Sequence, residues 1–148
     1  MWNKRYSEIL SLVCNRLMMG LLACCLLCGP ALCRWYVAMG DKSPSLYPIL
    51  LGALYPCVLL GLALLFWLDR LLRNIHRGEV FTSENTACMR RISWCCFAVA
   101  LLCLGFTVPY QPFIFVAVAA GFVGLILRVM KNVFAQAVAI KEENDFTI

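Results

Sequence analysis

The chain has 148 residues, of which 63% are hydrophobic and only 14% charged, and its formal net charge is +5. A water-soluble domain of this length must leave a large share of its residues facing solvent, so this composition excludes an ordinary soluble fold and makes a bilayer the natural solvent. The basic residues gather at the ends of apolar runs, a pattern of membrane topology and anionic-lipid contact rather than of direct nucleic-acid binding.

The N-terminal segment MWNKRYSE is basic and aromatic. A first span is expected over about residues 9–33, with Asn15 and Arg16 inside it. Residues 17–33 alone fall a little short of the roughly 20 apolar residues a crossing needs. The helix is therefore expected to start before Arg16, with that side chain reaching back to the cytoplasmic headgroups. The competing reading is a cleaved leader, since Leu21–Cys24 resembles a weak lipoprotein box. Bulky Leu22 and the short apolar stretch before Cys24 count against it.

Residues 34–45 read as a short polar turn with interfacial Trp35 and Tyr36. The second span covers about residues 46–68. Pro48 falls in its first turn, where a missing N–H costs nothing, and Pro56 falls inside it, where a kink is expected. Beyond Trp67 the pattern stays helical: Leu68, Leu71, Leu72 and Ile75 form an apolar stripe, while Arg70, Arg73 and Arg77 take the wet side. Gly78 is the expected stop and Thr82 or Ser83 the expected cap of the next helix, with Glu84 in its first turn. Residues 69–91 thus form a charged cytoplasmic loop. A third span follows over about residues 92–110.

Pro109 to Pro112 form a tight turn into the fourth span, about residues 113–130. An amphipathic cytoplasmic tail over residues 131–148 ends in KEENDFTI. Lys and Arg concentrate on the side that carries both termini and the 69–91 loop, whereas the outer segments hold only Arg34 and Lys42. The positive-inside bias then places both termini in the cytoplasm of a multi-pass cell-membrane protein. The expected architecture is all-α: one domain, a bundle of four transmembrane helices with the second and fourth extended into the cytosol. At about 1.5 Å per residue those two helices run well beyond a hydrocarbon core of roughly 30 Å. Their extensions are expected to pack on each other, with Phe81 filling the gap under the loop and residues 142–148 lying near Arg73, Arg77, Arg90 or Arg91.

Candidate chemistry is sparse. Cys24, Cys25 and Cys28 make a CCxxC, and Cys95, Cys96 and Cys103 also lie in apolar runs. Thiols buried in hydrocarbon pack as small residues rather than ligate or react. His76 and Cys88 supply two metal ligands where three or four are needed. No carboxylate is expected inside a span, which argues against a pump. No phosphate-cradling or catalytic motif is present, so no enzyme, cofactor or metal is expected. Glycines on all four spans offer close-packing faces that would serve the bundle or a second copy of the chain.

GEVFTSEN and MRRISW within residues 78–94, the terminal KEENDFTI and the four spans together resemble bacterial membrane proteins of domain-of-unknown-function family 2975. The resemblance covers nearly the whole chain. It implies a membrane protein without established enzymatic activity, in a family often encoded beside a small helix-turn-helix transcriptional regulator. The first functional expectation is therefore an interaction protein holding such a regulator at the inner face. Its surface would comprise Arg70, Arg73, Arg77, Glu79, Phe81, Glu84, Asn85, Arg90, Arg91, Glu142, Glu143, Asn144 and Asp145, whose acidic members suit a basic DNA-binding domain. The plainer reading makes these residues caps and a solvated tail. The alternative function is a small transport or envelope-stress component that binds lipid or an amphipathic compound, motivated by Pro56 and the glycine-rich faces.

Overall fold

The computed structural model describes residues 4–40 and 42–146. It is all-α: α1 (Lys4–Met39), α2 (Leu46–His76), α3 (Ser83–Phe106) and α4 (Phe113–Phe146). All four are long and apolar enough to cross a membrane. With 36, 31 and 34 residues, α1, α2 and α4 exceed the roughly 20 needed for a crossing. Residues 34–39, read from sequence as turn, instead continue α1. That stretch contains no helix breaker, and the first ones met are Gly40 and Pro44.

The α2–α3 connection follows its sequence signals. Gly78 takes a left-handed φ of 84°. Around it, the Glu79 N–H donates to the Asn74 carbonyl (3.1 Å) and the Gly78 N–H to the Ile75 carbonyl (2.9 Å), which satisfies the carbonyls at the end of α2. Thr82 caps α3, its hydroxyl accepting from the Asn85 N–H at 3.3 Å.

Helices adjacent in sequence pack together: α1 on α2, α2 on α3 and α3 on α4. Among the described residues no other helix pair comes close. The four helices therefore form a row rather than a closed bundle. This corrects the expectation that the ends of α2 and α4 pack directly on each other, because α3 lies between them. Leu71 and Ile75 of α2 meet Cys88, Met89, Ile92 and Cys96 of α3, and Leu127 and Phe134 of α4 reach the same cluster. Without a hydrophobic drive inside lipid, such contacts rely on close approach and interhelical hydrogen bonds. Both are present between α3 and α4: the Ser93 hydroxyl donates to the Gly124 carbonyl at 2.9 Å. A Cβ added at Gly124 would sit only 3.2 Å from Cys96 and 3.3 Å from the Phe97 ring.

Candidate functional site

The expected site residues lie at the end of the row that carries the α2–α3 loop. Asp69, expected at the membrane edge, is buried there. Its Oδ2 accepts from Arg73 Nη2 at 3.0 Å, one turn on, and its Oδ1 faces Arg16 Nε of α1 at 3.5 Å. Arg16 therefore ties α1 to α2. Beside this group the Asn15 side chain donates to the Leu65 carbonyl at 3.1 Å, and Glu8 meets His76 at 3.1 Å. Across the loop, Arg70 Nε donates to Glu84 at 2.7 Å in an exposed pair. Arg70, Arg73, Arg77, Glu79 and Glu84 line one polar cleft of ≈ 400 Å³, with Asn74 and Phe66 completing its wall.

The remaining predicted residues separate from that cleft. Asn85 is 0% exposed. Its Nδ2 donates to the Glu79 carbonyl (2.6 Å) and the Val80 carbonyl (2.9 Å), while its Oδ1 accepts from Asn74 Nδ2 (2.9 Å). It pins the loop and offers nothing to a partner. Phe81 packs against Phe134 of α4, ring centroids 5.6 Å apart. The Arg91 guanidinium lies 4.0 Å from the centre of the Trp67 ring. Arg90, Glu142, Glu143 and Asn144 are exposed. Of the expected contact between tail and loop arginines, the side chains of Asp145 and Phe146 and the whole of residues 147–148 lie outside the described residues. Of the loop arginines, Arg73 pairs with Asp69 and Arg70 with Glu84.

The opposite end holds a feature the sequence did not single out. All four helices line an apolar chamber of ≈ 610 Å³, within the range of about 300–1,000 Å³ common for small-molecule sites. Leu32 and Cys33 of α1, Ala53 and Cys57 of α2, Val99 and Cys103 of α3, and Phe113 and Val116 of α4 form its wall. The Sγ atoms of Cys57 and Cys103 touch at 3.8 Å. The chamber lies where α1 and α4, at the two ends of the row, do not touch each other, and the Tyr36 and Tyr110 hydroxyls in its lining join by a hydrogen bond. Lys42 Nζ sits 3.6 Å from the centre of the Tyr36 ring and 5.6 Å from that of Tyr110. The adjacent Lys42 ammonium pulls the Tyr36 phenol below its ordinary pKa, and the same contact raises Lys42. Tyr110 is raised, chiefly by its hydrogen bond to Tyr36.

Chemically, the chamber can shelter a hydrocarbon chain and its rim can hold a polar head. Among the described residues, no three His, Cys, Asp or Glu side chains gather as a metal site would require. The signal for the rim was present in the sequence as Tyr36, expected at an interface, and Lys42, one of two basic residues expected in the outer segments. The partner Tyr110 lies 74 residues away from Tyr36 and only the fold brings it close.

Four long apolar helices, joined by short turns and one charged loop, define a small multi-pass membrane protein. The chain belongs to the family described as protein of unknown function (DUF2975), whose model matches residues 31–148. That match takes in the end of α1, all of α2 to α4, the charged loop and the chamber lining. Comparison with curated proteins gave no match, and comparison with solved structures gave none.

Proposed function

We propose that this chain is a non-enzymatic membrane protein that binds an amphipathic molecule in the chamber between its four helices. The observation that carries this reading is the chamber itself: ≈ 610 Å³, apolar walls from every helix, and a mouth framed by Trp35, Tyr36 and Tyr110. A site of this build takes up apolar matter and orients it by a few polar groups at the rim. By the positive-inside bias, the loop and both termini face the cytosol of a cell with the protein in its plasma membrane, and the chamber opens toward the outer face. The excess length of α2 and α4 then projects beyond the hydrocarbon on the cytosolic side.

Mass spectrometry of molecules retained by the purified protein tests the reading. Wild type should carry a bound amphiphile and Val116→Trp, which fills the chamber from α4, should lose it. Equal retention by the two proteins would remove the proposal.

A second reading keeps the charged end as a dock for a small helix-turn-helix regulator. It is favoured by Glu79 and Arg77, both exposed on the polar cleft, and by the exposed Glu142 near the end of α4, acidic groups suited to a basic partner with an arginine to set its register. Co-purification of a soluble regulator from solubilised membranes, lost on Glu79→Lys, would support it. No co-purifying regulator from membranes in which both proteins are expressed would end it.

A further inference from the structure

The chamber explains where an apolar tail goes but not which head accompanies it. At its mouth, segments 34–40, 42–45 and 107–112 contain two charges, Arg34 and Lys42, both positive; Asp41 lies outside the described residues. Arg34 is turned to Tyr47, its guanidinium 5.7 Å from the ring centre. Lys42 is directed instead over Tyr36 and toward Tyr110, at the rim. Among the described residues no carboxylate pairs with it. A cation lying on an aromatic face keeps N–H donors free for an anion.

The tyrosine pair adds a second donor. Two hydroxyls joined by one hydrogen bond use only one of their two hydrogens between them. The tyrosine that accepts still has an O–H to give. The rim thus presents one ammonium and one phenolic O–H above an apolar chamber. That set suits an acidic head, which accepts from both, and disfavours an amine, which Lys42 repels.

Resting on the chamber reading, we propose that the occupant is an acidic amphiphile whose carboxylate or phosphate head binds Lys42 and the Tyr36–Tyr110 pair, with its tail in the chamber. Hydrogen bonds to charged groups are the strong ones, so the head supplies selectivity while the chamber supplies the apolar contact.

The test uses the full chain in neutral detergent or nanodiscs and three probes with one oleoyl tail: oleate, oleoyl lysophosphatidate and methyl oleate. Quenching of tryptophan fluorescence, Trp35 being at the mouth, reads binding. Oleate or lysophosphatidate should bind at least about tenfold tighter than methyl oleate, the scale of one hydrogen bond to a charged group. Preference for one acid over the other identifies the head as carboxylate or phosphate. Lys42→Gln should erase the preference for acid and Lys42→Arg should keep it. Lys42 is on the rim, so both variants leave the helix packing untouched. If the ester binds as tightly as the acids in wild type, the acidic-head proposal is overturned while the chamber reading stands. If no probe binds, or Val116→Trp binds all three like wild type, the chamber reading falls and takes this proposal with it.

Discussion

Asn74 donates its side-chain amide to the side-chain carbonyl of Asn85 at 2.9 Å, joining the last turn of α2 to the first turn of α3. The backbone carbonyl of Asn74 also accepts from Glu79, and Asn85 donates back to the Glu79 carbonyl. The charged loop is thereby closed on itself with its polar groups satisfied, and α3 enters the row at a fixed angle.

Asn85→Ala should therefore be among the most damaging polar changes in the chain. It strands the Asn74 amide and the Glu79 and Val80 carbonyls that the buried Asn85 side chain now satisfies. At about 1–3 kcal/mol for each buried group left unpaired, discounted for partial relaxation, a loss of roughly 2–4 kcal/mol is expected. Asn85→Asp should be no better, because an acceptor oxygen would then face two carbonyls. Glu84→Gln, one residue earlier, should cost no more than about 1 kcal/mol, since it removes one exposed ion pair. Thermal unfolding in a fixed detergent ranks the three variants. Equal shifts for Asn85→Ala and Glu84→Gln would contradict the assignment.

The contrast between these neighbours marks what the sequence carries. Gly78 and Thr82 announce themselves because helix ends have local chemistry, a left-handed stop and a side-chain acceptor, and both stand where expected. The four apolar helices were legible for the same reason: hydrocarbon length and hydropathy are properties of a segment. Asn85 was not, since a polar residue beside Glu84 looks solvated until the fold folds the loop over it. Nor was the row of helices, because hydropathy says that α2 and α4 are apolar without saying that α3 separates them. The chamber rim depends on residues 36, 42 and 110 meeting, and no local pattern records that.

Asp69 makes a second test. It holds two guanidiniums from α1 and α2, and only 11% of its side chain is exposed. Asp69→Asn should loosen the α1–α2 contact and leave Arg73 without its carboxylate. Because Arg16 and Arg73 keep about half or more of their side chains in solvent, the cost should be about 1–2 kcal/mol, well short of a fully buried pair. Arg16→Gln should cost less than Asp69→Asn, since Arg73 still neutralises the acid. Protease susceptibility of the α1–α2 connection, together with melting temperature, checks the order.

Between α3 and α4 the expected effects separate packing from hydrogen bonding. Ser93→Ala removes the bond to the Gly124 carbonyl and should cost about 0.6 kcal/mol, the average for such bonds in membranes. Gly124→Ala presses a methyl against Cys96 and the Phe97 ring at 3.2–3.3 Å, so these neighbours must give by a few tenths of an ångström. It should cost more, about 1–3 kcal/mol, as overpacking does. Denaturation in mixed micelles measures both, and a Gly124→Ala milder than Ser93→Ala would contradict the close approach.

Topology follows from the proposed orientation. Reporters fused after Gly78 and after Ile148 should both report cytoplasm, and one at Lys42 should report the outside. Neutralising Arg70, Arg73, Arg77, Arg90 and Arg91 together should scramble insertion, because the charge bias sets orientation. A reporter after Gly78 that reads outside would invert the chamber and the loop at once.

The rim supplies the last test, a pH dependence. Tyr36 is displaced downward, first by the Lys42 ammonium beside it, and Lys42 upward by the same contact. The Tyr36 phenolate is favoured in the fold, so its contribution to stability is present above the unfolded tyrosine pKa and is lost as pH falls through the lowered one. The Lys42 ammonium is also favoured, so its contribution is full below the unfolded lysine pKa and is lost as pH rises through the raised one. Between the two, Tyr36 and Lys42 pair as phenolate and ammonium. Tyr110, raised chiefly by its bond to Tyr36, ionises after it. Tyrosinate absorbance should resolve an early and a late phase, and Tyr36→Phe should remove the early one. Lys42→Gln should move the early phase upward. The same ionisation sets the response of the proposed site: a phenolate at Tyr36 occupies the ammonium and repels an acidic head. Oleate affinity should therefore fall as pH rises through the early phase, and the fall should vanish in Tyr36→Phe. An affinity that holds constant across the early phase in wild type would show that the head does not sit at Lys42.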